Sequence, residues 1–191
     1  MAIRAVIFDL YGVLGLNGWQ DFKERHFHGR WDAWEPLRQL GQRVDAGEAT
    51  DDEFVSAIAA ATNESCETVR YQFEHTKPNT ELLEYIREEL AGTYKIGLLS
   101  NTSRDVLSGI FSAADRELFD AVVLSVSSGL TKPDPAIFHT LLEQLGATAA
   151  ECLMIDDQER HLVSAAAIGM RTLLFESNTR AIQAIRVVLA A

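Results

Sequence analysis

The chain has 191 residues, room for one domain with a substantial core, and its 47% hydrophobic and 24% charged residues are ordinary for a globular protein. Lys and Arg number 17 against 28 Asp and Glu, a formal charge of −11, which disfavours nucleic acid and anionic membrane faces as partners and leaves a small anionic metabolite open. No apolar run reaches membrane-span length, Asp9 interrupts the apolar stretch from Ala5 to Leu14 too early for a signal peptide, and Cys66 and Cys152 have no metal-like spacing, so a cytoplasmic protein with reduced thiols is expected.

Five short apolar runs read as strands buried on both faces of a parallel sheet: Ala5-Val6-Ile7-Phe8, Lys95 to Leu99, Ala121 to Leu124, Cys152 to Ile155 and Thr172 to Phe175. The first is followed by 15–78, which read as helical. Thr50-Asp51-Asp52-Glu53 is a capping box leading into Phe54, Val55 and Ile58, Glu67 to Phe73 forms a further helix, and Pro78 is a natural stop. Trp19, Trp31 and Trp34 near the start of this stretch are expected to pack inside it rather than to wall a substrate. Helices then alternate with the later strands. One opens at Asn79-Thr80-Glu81 and closes at Gly92, another starts near Arg104, a third runs from Asp134-Pro135 to Gly146, and a fourth from Glu159 to Gly169. The expected fold is α/β, a doubly wound Rossmann-like parallel sheet (1–14 and 79–191) with a small helical cap (15–78) inserted after the first strand.

Ligands of parallel α/β sheets bind beyond the carboxyl ends of the strands. Asp9 follows the first run, Ser100-Asn101 the second, Ser125 and then Lys132 the third, and Asp156-Asp157 the fourth. Converged, they form a pocket with three carboxylates and one Lys. Crowded carboxylates raise one another's pKa or take up a cation, and a hard divalent ion such as Mg²⁺ satisfies them. A carboxylate nucleophile, a metal and a Lys are the parts needed for phosphoryl transfer through an acyl phosphate. Taken singly, each residue reads as a turn, a cap or a surface charge; the set at four successive strand ends does not. The histidines His26, His28, His75, His139 and His161 show no ligand spacing and receive no metal role.

The motifs Val6-Ile7-Phe8-Asp9-Leu10-Tyr11-Gly12-Val13-Leu14, Leu98-Leu99-Ser100-Asn101, Lys132-Pro133-Asp134-Pro135-Ala136-Ile137-Phe138 and Ile155-Asp156-Asp157, the last with Ala165 to Met170 downstream, occur in the order of the haloacid dehalogenase superfamily, which the chain resembles from end to end. The stretch from Val44 to Phe54 is similar to caps in the branch with sugar-phosphate phosphatases and epoxide hydrolase N-terminal domains. The resemblance implies that Asp9 is the nucleophile, that Ser100 with Asn101 binds the transferring group, and that Lys132 neutralises Asp9 and the substrate oxyanion. It implies Mg²⁺ on Asp9, Asp157 and the carbonyl of Tyr11, with Asp156 beside them.

Tyr11 departs from the phosphatase pattern, which has a second Asp there as general acid and base; a phenol of pKa about 10 is a poor base at neutral pH. The dehalogenase branch has Tyr at this place, but it needs no metal and keeps neutral residues where this chain has Asp156-Asp157. It also expects a cap arginine, for which Arg30, Arg38 and Arg43 are candidates. Losing an acid/base slows a phosphatase by about 10²–10⁴, whereas three crowded carboxylates without a cation disable the nucleophile. The reading is therefore a Mg²⁺-dependent hydrolase of small, sugar-phosphate-like monoesters. A metal-independent 2-haloacid dehalogenase and a phosphate-binding module with little turnover are the alternatives.

Overall fold

The computed structural model describes residues 2–103 and 105–190. Five parallel strands form the central sheet: β1 (Ala5–Phe8), β4 (Lys95–Ser100), β5 (Ala121–Leu124), β6 (Cys152–Asp156) and β7 (Arg171–Leu174), in the order β5-β4-β1-β6-β7. Strand alternation sends the side chains to two separate cores. Val6, Phe8, Leu98, Leu153 and Ile155 face one, with α5 (Thr80–Tyr85), its π-helical continuation Ile86–Leu90, and α11 (Asn178–Leu189). Ala5, Ile7, Leu99, Val123 and Met154 face the other, with α9 (Pro135–Leu145) and α10 (Glu159–Ala167). Gly97 lets α9 settle onto the sheet, because a Cβ there would lie 3.1–3.3 Å from Ile7, Leu141 and Leu145. The result is the expected Rossmann-like sheet covered on both faces.

The fifth apolar run is not buried on both faces: β7 is an edge strand, paired only with β6, and Arg171, Thr172 and Leu174 are exposed.

Between β1 and α5 the chain leaves the sheet through β2 (Gly15–Leu16) and returns through β3 (Lys77–Pro78), which pair antiparallel. The inserted helices are α1 (Trp19–Phe27), α2 (Trp31–Asp45), α3 (Asp51–Thr62) and α4 (Cys66–Glu74). The Thr50/Glu53 capping box opens α3 as its sequence requires. These helices have a core of their own, made of Phe22, Phe27, Leu37, Val55, Ile58, Ala59 and Val69. Trp19 and Trp34 pack on it, but Trp31 is 73% exposed and belongs to no core.

Asn79 joins the outgoing and returning strands. Its amide donates to the Val13 carbonyl at 2.8 Å and to Asn178 Oδ1 at 2.7 Å, and Asn178 donates back at 2.9 Å. Between β4 and β5 lie two short turns of helix, α6 (Leu107–Ile110) and α7 (Ala113–Arg116); α8 (Ser125–Ser128) follows β5. Arg104, where a helix is expected to start, lies outside the described residues, and the helix begins at Leu107. The Asp134 cap, with Pro135 at the first position of α9, is as expected.

Candidate active site

Asp9 leaves the sheet at the end of β1, its backbone N–H donating to the Ile155 carbonyl of β6 at 2.9 Å. Asp156 ends β6 and Asp157 follows, so the three carboxylates lie with one oxygen of each within 4.8 Å of the others. Lys132 reaches them from the loop before α9. It is 2% exposed, and its Nζ donates to Asp9 Oδ1 and to Asp156 Oδ2, both at 2.7 Å.

The Lys132 backbone is fixed by Asn101. The Asn101 amide donates to the Lys132 carbonyl at 2.9 Å, and its Oδ1 accepts from the Lys132 N–H at 2.8 Å. Ser100 is fully buried beneath the cavity floor, its hydroxyl turned to the Asn101 carbonyl at 3.3 Å; Asn101, Thr102 and Ser103 line the cavity. Ser125 is a strut, holding the Thr102 backbone N–H and carbonyl at 2.8 and 2.9 Å.

The carboxylates are not equivalent. Burial, then Asp156 and Asp157, push the Asp9 carboxyl well above its ordinary range despite Lys132. Burial also works to raise Asp156, but Lys132 and His161 outweigh it and hold that carboxyl at about 2. Both oxygens of Asp156 are engaged, Oδ2 with Lys132 and His161 Nδ1 and Oδ1 with the Gln158 N–H. Asp157 is pushed up to about 6 by burial and by Asp156. Its Oδ2 accepts from Gln20 of α1 at 2.8 Å, while its Oδ1 is buried with no hydrogen-bond partner among the described residues. Burial works to lower the Lys132 pKa, but the two carboxylates it touches raise it, so it stays a cation.

Three acidic side chains against one ammonium, with a buried carboxylate oxygen lacking a donor, fit a hard divalent cation. Gly12 makes room beside it. Its φ of +86° is left-handed, and a Cβ would sit 2.5 Å from Asp157 Oδ2. Tyr11 packs on the sheet's core and also lines the cavity.

The cavity, about 460 Å³, lies between the strand ends and the inserted helices. Trp19, Trp34, Phe54 and Phe73 pack on the cap's core and form one wall. Arg38 is the cap arginine of the three candidates that lines the cavity.

Sequence reasoning missed several residues of this surface. His161, for which the sequence indicates only the absence of metal-ligand spacing, buttresses Asp156 with its ring, and burial lowers its pKa. It lies five residues past Asp156, a signal readable only once α10 is placed. Arg160, Gln20, Lys23 and Asp45 also line the cavity; the first three lie outside every motif, and Asp45 lies in the Val44 to Phe54 stretch with no role of its own assigned to it.

The haloacid dehalogenase-like hydrolase family model matches residues 3–169, most of the chain. The chain belongs to that family. A phosphatase of Mycobacterium tuberculosis (strain CDC 1551 / Oshkosh), MT3486, is 28% identical over 92% of this chain and 88% of its own. The drimenol cyclase DrtB of Aspergillus calidoustus is also 28% identical, over 91% of this chain, which spans only 34% of the cyclase. Among solved structures, a haloacid dehalogenase family enzyme of Bacteroides thetaiotaomicron in complex with magnesium and inorganic phosphate is 25% identical with a TM-score of 0.61, covering 93% of this chain and 96% of that one. The acidic cluster of this haloacid dehalogenase-like hydrolase, Asp9, Asp156 and Asp157, can coordinate a divalent metal.

Proposed function

We propose that the protein is a Mg²⁺-dependent phosphatase of small, sugar-phosphate-like monoesters, working through an aspartyl phosphate on Asp9. One observation carries the reading: Asp157, which has a buried oxygen without a hydrogen-bond partner among the described residues, offers a carboxylate oxygen within 4.8 Å of Asp9, in a cluster of three carboxylates against one ammonium. A metal-free dehalogenase would have to hold that charge uncompensated. The Mycobacterium phosphatase and the magnesium–phosphate complex of the Bacteroides enzyme support the same choice.

In this reading residues 1–14 and 79–191 form the catalytic core and 15–78 the cap. Asp9 and Asp157, with the Tyr11 carbonyl, would hold the ion, which supplies positive charge to the phosphoryl oxygens. Asp156, both oxygens already engaged, stands behind them and holds Lys132. An Asp9 oxygen attacks phosphorus as the bond from phosphorus to the leaving oxygen breaks. Water then attacks the phosphorus of the acyl phosphate, releasing inorganic phosphate and regenerating Asp9. Lys132 balances the charge on Asp9 and on the transferring group, and Ser100 with Asn101 shapes the floor that receives it. A small anionic metabolite in the cytoplasm is the setting; no helix among the described residues is long and apolar enough to cross a membrane, and the thiols of Cys66 and Cys152 are free.

Tyr11 favours a second reading, the 2-haloacid dehalogenase. A paired assay decides. The protein is given p-nitrophenyl phosphate and 2-chloropropionate, each with Mg²⁺ and with EDTA. Phosphate-ester turnover abolished by EDTA is expected. EDTA-insensitive release of chloride would establish the dehalogenase, and phosphate binding without turnover of either compound would establish a binding module.

A further inference from the structure

An aspartyl phosphate forms by in-line displacement, so the leaving oxygen departs on the side opposite Asp9. Asp9 lies at the carboxyl end of β1, the central strand of the sheet; across the cavity stand the inserted helices. An alkoxide leaving group needs a proton there, and the later attack of water needs a base. Position 11 holds a phenol, which serves poorly as that base.

Besides the Asp9, Asp156 and Asp157 cluster, the carboxylic acids lining the cavity are Asp45, Asp51 and Glu74. Asp51 is exposed, with both oxygens 3.0 Å from the Ser103 hydroxyl, and Glu74 is exposed at the end of α4. His161 also lines the cavity, but it stands on α10, on the sheet side with Asp9, its Nδ1 held by Asp156. Asp45, the last residue of α2, is half-buried and faces the cavity from the cap side. Asn101, the residue that clamps the Lys132 backbone, lines the same cavity and works to lower the Asp45 pKa. Asp45 thus shares the cavity with the element that places the Asp9–Lys132 pair.

Resting on the phosphatase reading, we propose that Asp45 is the general acid and base of the reaction, supplied by the cap in place of position 11. Protonated Asp45 gives its proton to the leaving oxygen as the bond to phosphorus breaks. The carboxylate so formed takes a proton from the water that attacks the acyl phosphate, and the cycle closes with no proton left over. The charged groups around it are Arg160 from α10, Lys132 from the loop before α9, and Asp51 from α3. Burial outweighs the two cations and pushes the Asp45 carboxyl up to about 6, where both protonation states are populated near neutral pH.

The test is Asp45→Asn, assayed with Mg²⁺ against p-nitrophenyl phosphate and ethyl phosphate. The ratio kcat/KM reports only the steps up to loss of the leaving group. For ethyl phosphate it is expected to fall by about 10²–10⁴. For p-nitrophenyl phosphate, whose leaving group departs unaided, the fall is a few-fold. Loss of the base should also turn p-nitrophenolate release into a burst followed by slow turnover. Asp45→Glu should recover much of the ethyl phosphate activity, which a merely structural contact with Asn101 or Arg160 would not require. Equal losses for both substrates, or no loss for either, overturn the proposal. If Asp45→Asn does not fold, as judged by circular dichroism, Asp45→Ser is read the same way. A wild-type protein that turns over neither ester overturns the phosphatase reading itself. A wild type active on both, whose variants show no leaving-group dependence, overturns only the role of Asp45.

Discussion

Lys132→Met probes the cluster most directly, because methionine keeps most of the stem's volume and removes the charge. In the wild type the ammonium bonds two buried carboxylates at 2.7 Å. Deleting one partner of a buried ion pair costs about 3–5 kcal/mol, mostly from the charge left behind. For a chain of this size about 2–4 °C of Tm is lost per kcal/mol, so Tm should fall by roughly 6–20 °C at pH 7. The deficit should shrink toward pH 5. Asp9 and Asp157 already have raised pKa values, Asp157 at about 6, and without the ammonium they protonate more readily. Asp156 moves the other way in the wild type: held at about 2 by Lys132 and His161, its contribution is present above the ordinary Asp range and lost only as pH falls toward 2. Mg²⁺ should stabilise the variant, since the cation replaces part of the missing charge. Differential scanning fluorimetry from pH 5 to 8, with and without Mg²⁺, measures all of this. A Tm within 2 °C of wild type at pH 7, or a deficit that grows as pH falls, would refute the electrostatic account.

Asp9→Asn should abolish turnover of p-nitrophenyl phosphate yet leave Tm intact, because burial already disfavours the charge it removes; full activity would refute Asp9 as the nucleophile. Calorimetry should show Mg²⁺ binding that Asp157→Ala removes, and binding to the wild type should be about tenfold weaker at pH 5 than at pH 7, because Asp157, at about 6, must lose its proton first. Affinity independent of pH across that range would take Asp157 out of the metal site. Gly12→Ala places a methyl 2.5 Å from Asp157 Oδ2 at a φ of +86°, so both stability, by about 1–3 kcal/mol, and Mg²⁺ affinity should fall, as melting curves and calorimetry would show.

The parts of this molecule written in contiguous residues were legible in the sequence. The buried runs of β1, β4, β5 and β6 have no polar interruption, the Thr50 and Asp134 caps are local chemistry, and the acidic cluster follows because strand ends converge in such a sheet. What escaped depends on distance. The β2–β3 pair is two residues per strand, too short for any periodicity, and β7 has apolar residues but a place at the edge. The tryptophans divide two ways only in space: Trp19 and Trp34 pack on the cap core while also walling the cavity, and Trp31 does neither. Gln20 meets Asp157 across 137 positions of sequence, a contact no local pattern encodes.

The amide pair of Asn79 and Asn178 bears on how the chain can be shortened. The family match ends at residue 169, before β7 and α11. A chain cut there would strip Ile185 from the sheet's core and take away Asn178, leaving the side-chain Oδ1 of buried Asn79 with only the Leu82 N–H at 3.4 Å. That loss falls at the pivot where the cap leaves and rejoins the sheet, so a truncation far from the catalytic cluster in sequence would loosen the lid over it. The smallest autonomous unit of this protein is therefore larger than the stretch by which its family is recognised.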